Sequence, residues 1–171
     1  MTGLTRAVDR AVGWLLVVLM GIAVLNVLWQ VFTRFVLANP SGFTDELARY
    51  LLIWIGLLGA SYAAGRNMHL AIDLLPAKLT GRSRWYLNLV IEASVFLFAL
   101  AVLVVGGINL VRLTLTLGQT SAALHVPLGY VYLVLPLSGV LMMFFAVAAV
   151  FRHHAEWRGS DAIAGRSTEP H

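Results

Sequence analysis

Apolar and polar positions are sharply segregated along this chain. From Ala11 to Thr33, 23 successive residues carry no charge, roughly 35 Å of helix at about 1.5 Å per residue. That length crosses a hydrocarbon core about 30 Å thick. A second uncharged run, Tyr50 to Gly65, has 16 residues and is flanked by Arg49 and Arg66, whose long side chains can snorkel to the interfaces. The third, Trp85 to Val111, has 27 residues and is broken only by Glu92. The fourth, Leu128 to Phe151, has 24, follows Pro127 and contains Pro136. The pattern predicts an all-α integral membrane protein with four transmembrane helices, at about 11–33, 46–65, 85–111 and 128–151. The third run is longer than a perpendicular span needs, so tilt or an extension past the surface is expected there.

Composition sharpens this picture. The chain is 60% hydrophobic and 12% charged, against about 45–50% and about 25% in soluble domains. Its net charge of +4 comes from basic residues scattered at the ends of apolar runs, which is not a nucleic-acid-binding patch. There is no cysteine, which excludes disulfides and thiolate metal sites.

The basic residues also set an expected orientation. Arg6, Arg10, Arg66, Lys78, Arg82, Arg84, Arg152, Arg158 and Arg166, nine in all, lie in the terminal and middle segments. Three, Arg34, Arg49 and Arg112, lie in the other two loops. The imbalance puts both termini in the cytoplasm. Arg6 and Arg10 with Val36-Leu37-Ala38 weakly mimic a signal peptide. The apolar stretch is too long for one and Arg34 intervenes, so the first span reads as an uncleaved anchor. Residues 1–158 form one expected membrane domain. Residues 159–171, rich in Gly, Ser, Thr and Pro, read as a disordered cytoplasmic tail.

At the mouth of the second span stands Ser41-Gly42-Phe43-Thr44-Asp45-Glu46-Leu47-Ala48-Arg49. Ala38 to Gly42 is turn chemistry. Thr44 suits an N-cap, with Asp45 and Glu46 in the first helical turn, where carboxylates meet the positive end of the dipole. Arg49 can pair with either acid on one face. Arg34 ends the preceding helix, and an Arg34–Glu46 link would close the hairpin of the first two spans. One reading is a capped helix start with solvated charges of little energetic worth. The other is a partly buried cluster that fixes the hairpin or a partner subunit, since charge at this depth is costly unless paired.

Further positions invite chemistry. Glu92 is the one acid inside a span, and reads either as a proton or cation site or as a structural side chain; the second reading is preferred, because no second intramembrane acid or lysine accompanies it. Asn26, Gln30, Asn88 and Asn109 are expected to bond across helices. Gly56, Ala60 and Ala64 form a small-residue ridge, and Gly106-Gly107 permits close approach or a bend. Trp29, Trp54, Trp85, Tyr86, Tyr130 and Tyr132 include aromatic-belt residues. The segment 68–79 is amphipathic enough to lie along the cytoplasmic surface, with Pro76 breaking it as a helix. His69 and His125 fall in loops on opposite sides, so they cannot be paired haem ligands, and His153 and His154 read as helix-end residues. No nucleophile–base pair, phosphate loop or metal constellation stands out, so neither an enzyme nor a cofactor is expected.

Three blocks carry a resemblance. Phe32-Thr33-Arg34-Phe35-Val36-Leu37, Phe43 to Tyr50 and Leu58-Gly59-Ala60 look like the first conserved block of the small membrane subunit of tripartite ATP-independent periplasmic (TRAP) transporters. Arg66 with His69-Leu70-Ala71-Ile72-Asp73-Leu74-Leu75 is similar to the next, and Gln119 to Pro127 with Pro136 resembles the last. The family often has Trp where Phe43 stands and Pro where Ala122 stands. The resemblance covers roughly residues 10–150 and implies a scaffold for a large multi-span subunit in the bacterial inner membrane. That partner would import an organic acid, driven by sodium, after delivery by a periplasmic substrate-binding protein. Arg34, Asp45, Glu46, Arg49 and Glu92 are then structural or interface residues, while His69, Asp73, Gln119 and Pro127 match the family without an assigned role. Membrane lipid is the other expected partner. The alternatives are a stand-alone proton-coupled transporter using Glu92 and the membrane anchor of a respiratory complex.

Overall fold

A computed structural model describes residues 3–38, 41–66 and 82–166. Its helices are α1 (Gly3–Phe35), α2 (Gly42–Gly65), α3 (Arg82–Phe98), α4 (Gly107–Thr116), α5 (Leu128–Tyr132) and α6 (Val134–Arg166), with a π-helical segment, Ala99–Gly106, joining α3 to α4. Among the described residues four stretches are long and apolar enough to cross a membrane: Gly3–Phe35, Gly42–Gly65, Leu89–Thr116 and Leu128–Val150. No β-strand occurs among the described residues; Thr120 and Pro127 form one isolated antiparallel bridge.

The helix ends refine the sequence reading. α2 starts at Gly42 with Ser41 at its N-cap, four residues before the expected 46. Thr44 is therefore inside the helix and not at the cap. Its hydroxyl donates to the Ser41 carbonyl at 2.7 Å and lies 3.0 Å from the Ser41 hydroxyl. The helix of the third run continues past Val111 to Thr116. α6 continues to Arg166, and so into the stretch whose composition suggested a tail without structure. His69, Asp73 and the segment 68–79 lie outside the described residues.

The spans pack as an open row in the order first, second, fourth, third. α1 leans on α2, α2 on α6, and α6 on α3 and the π segment. The fourth span is the most buried, and the first and third are widely exposed.

Glycines set the close approaches. A Cβ on Gly107 would stand 2.9 Å from Leu135 Cβ and Pro136 Cδ, and one on Gly139 2.8 Å from Leu103 Cβ. The π segment and the Pro136 region can touch only because both positions lack a side chain. Gly56 meets nothing within 4 Å; it and Ala60 are exposed, and Ala64 is half-buried. The small-residue ridge thus does not pack inside the chain.

Pro136 has no N–H to continue the helix ladder, and its ring crowds the carbonyl four residues earlier. The fourth span accordingly breaks at Leu133, between α5 and α6. Beside this break the Val131 carbonyl accepts the Trp54 indole N–H at 3.1 Å. Two turns further along, the Ser61 hydroxyl donates to the Ser138 carbonyl at 3.1 Å, fully buried. These bonds tie α2 to the fourth span from two levels.

Candidate functional site

The charged mouth of α2 and the loop between α4 and α5 form one assembly. The loop is closed by its own backbone. The N–H of Gln119 donates to the Thr114 carbonyl at 3.0 Å, that of Leu128 to the Gln119 carbonyl at 2.9 Å, and that of Ser121 to the Val126 carbonyl at 2.9 Å. His125 takes a left-handed conformation, φ 53°, unusual for a residue with a Cβ, and turns the chain back toward Pro127. Residues 122–124 thereby present consecutive N–H groups on one side, an arrangement that binds anions.

Glu46 fills that arrangement. Its Oε2 accepts the Ala123 N–H at 2.8 Å and the Leu124 N–H at 3.1 Å, and its Oε1 accepts the Ala122 N–H at 3.2 Å. The Tyr50 hydroxyl, one helical turn along, donates to Oε1 at 2.8 Å. Ser121 completes the ring: its hydroxyl oxygen accepts the Leu124 N–H at 3.2 Å. Hydrogen bonds to an ionised carboxylate are roughly twice as strong as neutral ones. Glu46 is therefore a clasp between the second span and the loop before the fourth.

This corrects the expected Arg34–Glu46 link. Three aligned backbone donors occupy the Glu46 carboxylate, whereas Arg34 is exposed at the end of α1 and forms no ion pair among the described residues. At this end the hairpin of the first two spans is closed by neutral groups. Buried Asn26 donates from Nδ2 to the Thr44 carbonyl at 2.8 Å, and the Thr33 hydroxyl lies 3.4 Å from that of Ser41. Asn26 thus bonds across helices as expected of a polar residue within a span, while Asn109 is exposed.

The remaining charges behave differently from Glu46. Arg49 donates to Asp45 at 3.4 Å, with both side chains exposed; this is the expected i,i+4 pair. Glu92 is half-buried on α3 and is not without a partner. Gln119 and Pro127 act through their backbones, Gln119 closing the loop and Pro127 accepting the Tyr130 N–H at 3.1 Å. At the opposite end of the spans, Arg66 grips Asp9 with two bonds, from Nε at 3.3 Å and Nη2 at 3.1 Å. Sequence reasoning missed the Glu46 partners. Their one visible sign is Ser121 followed by Ala122-Ala123-Leu124, a serine positioned to cap a turn.

Among the described residues no group of His, Asp and Glu could hold a metal ion. The site offers an anion seat filled by Glu46 and a loop closed by its own backbone.

Residues 23–156 match the family model described as the DctQ component of tripartite ATP-independent periplasmic transporters. The chain is 32% identical over 127 residues to the sialic acid TRAP transporter small permease protein SiaQ of Vibrio cholerae, covering 72% of this chain and 69% of that protein. It is 28% identical over 109 residues to the C4-dicarboxylate TRAP transporter small permease protein DctQ of Rhodobacter capsulatus, covering 64% and 48%. Similarity also extends to the isethionate TRAP transporter permease protein DctMQ of Oleidesulfovibrio alaskensis, at 31% over 105 residues, 61% of this chain and 16% of that longer protein.

Proposed function

Because the chain belongs to the DctQ component family of tripartite ATP-independent periplasmic transporters, we propose that it is the rigid membrane frame on which the transporter's large permease subunit is mounted. It is a small permease subunit and a multi-pass protein of the bacterial inner membrane. The observation that carries the frame reading is the open row of four spans locked by bonds to backbone: Asn26 to Thr44, Ser61 to Ser138, Trp54 to Val131, and Ala122 to Leu124 on Glu46. Such bonds fix helix positions in a bilayer. The row leaves long apolar flanks on α1 and the third span for lipid or a second membrane subunit.

Within this reading both termini lie in the cytoplasm, following the basic residues, and the Glu46 clasp faces the periplasm. The large subunit moves an organic acid with sodium, and a periplasmic binding protein delivers it. Family membership, and relatives named for sialic acid and C4-dicarboxylates, support this reading. Arg34, Asp45 and Arg49 form an exposed rim available to a partner, and Glu92 is structural.

The test is purification of the tagged chain in mild detergent, with mass spectrometry of what stays bound. A large multi-span protein in equal amount is expected, with sodium-dependent uptake of an organic acid by the reconstituted complex. A chain that purifies without a partner and transports alone overturns the reading, as does Glu92→Gln if it abolishes uptake by an intact complex.

A further inference from the structure

A groove of about 520 Å³ opens between the start of α1 and the end of α2. Arg6, Asp9, Arg10 and Trp14 line one wall, and Tyr62 and Arg66 the other. It lies level with the ends of the apolar runs, since Arg10 directly precedes Ala11 and Arg66 directly follows Gly65. A polar groove at that level meets lipid headgroups.

Its floor is built from close contacts. A Cβ on Gly13 would stand 3.3 Å from the Tyr62 hydroxyl, so the glycine lets the tyrosine lie against α1. The Arg66 guanidinium sits 4.5 Å from the Tyr62 ring centroid and holds Asp9 with two bonds. The hydrogen bond to Asp9 stabilises the protonated guanidinium, holding the Arg66 pKa above its ordinary value. The groove's single carboxylate is thereby neutralised. Arg6 and Arg10, one turn apart on α1, are exposed and form no ion pair among the described residues. The groove therefore holds three guanidinium groups against one carboxylate. Exposed Trp14 and Val17 continue its wall into the apolar part of α1.

We propose that this groove binds the phosphate headgroup of an anionic phospholipid, with Arg6 and Arg10 on the phosphate and Trp14 and Val17 along the first part of an acyl chain. Guanidinium groups match phosphate oxygens with paired donors. Basic pockets between transmembrane helices recognise acidic headgroups in this way. A soluble phosphate has the same anionic chemistry but no use for the apolar wall. The site is independent of what the transporter carries.

The experiment is native mass spectrometry of the full-length chain in detergent, titrated separately with phosphatidylglycerol, phosphatidylcholine and inorganic phosphate. Expected are a phosphatidylglycerol adduct retained several-fold more than phosphatidylcholine, no inorganic phosphate adduct, and loss of the preference in Arg6→Gln/Arg10→Gln. Arg112→Gln, beyond the π segment, should retain it. Unchanged elution and helical content show that the double variant is folded; Arg10→Gln alone, expected to weaken the preference, is the second variant. Equal retention of the two lipids, or an undiminished preference in the folded double variant, overturns the proposal. A phosphate adduct that disappears in the variant, without lipid preference, assigns the groove to a free anion and overturns it as well.

Discussion

Glu46 and Ala123 are separated by 77 positions in sequence, yet the Ala123 N–H donates to Glu46 Oε2 at 2.8 Å. The bond joins two of the three sequence blocks that carry the family resemblance, residues 43–50 and 119–127. They meet in space because the fourth span returns to pack on the second.

Glu46→Ala removes the acceptor for three backbone N–H groups at once, whereas Glu46→Gln keeps one side-chain oxygen and loses the charge. Amide exchange at Ala122, Ala123 and Leu124 should accelerate several-fold in Glu46→Ala and less in Glu46→Gln. Arg34→Ala should leave it unchanged. Equal protection in Glu46→Ala and the parent chain would show that the clasp does not hold the loop.

The neighbouring acid should matter little. Asp45 and Arg49 are exposed, and a helical i,i+4 pair contributes about 0.3–0.5 kcal/mol. Asp45→Ala should shift the melting temperature in detergent by no more than about 2 °C, on the size scaling for a chain of this length.

Asn26→Leu tests the hairpin of the first two spans. It is close in size and removes the bond to Thr44, with an expected loss of about 0.5–2 kcal/mol. Asn109→Leu, at an exposed position, should be close to neutral. Thermal unfolding of the two variants side by side separates interhelical bonding from the general effect of removing an amide.

Gly107→Ala places a methyl group 2.9 Å from Leu135 and Pro136. Overpacking of this kind destabilises by about 1–3 kcal/mol. Gly56→Ala, where nothing lies within 4 Å, should be neutral or slightly stabilising, because the extra methyl restricts the unfolded chain. Similar melting temperatures for the two variants would contradict the close approach of the third and fourth spans.

The four spans are readable in the sequence because a bilayer imposes one requirement, a long run without charge, that no local interaction overrides. The Asp45–Arg49 pair is readable for a related reason: its spacing lies within one helix. The Glu46 clasp is not, because backbone N–H groups carry no residue signature. A carboxylate seeking a partner looks, in sequence, as though Arg34 should supply it. Ser41 is the cap, but serine and threonine both serve as caps, and the acids after Thr44 make it look the better candidate in sequence. Asn26 announced itself as a polar group in need of a partner, but its acceptor, a carbonyl, could be identified only from the packing.

The π segment, Ala99–Gly106, also sets a phase. In geometric terms a π turn accommodates additional residues within the path of an α-helix, so it fixes the rotational setting of everything beyond it. Gly107 faces Pro136, and Thr114 reaches Gln119, with that offset in place. The same residues wound as regular α-helix, at about 100° per residue, would over-rotate everything beyond the segment relative to α3. Gly107 would swing away from Pro136, and the loop beyond would no longer bring its N–H groups to Glu46. The Glu46 clasp thus depends on an irregular turn within the third span.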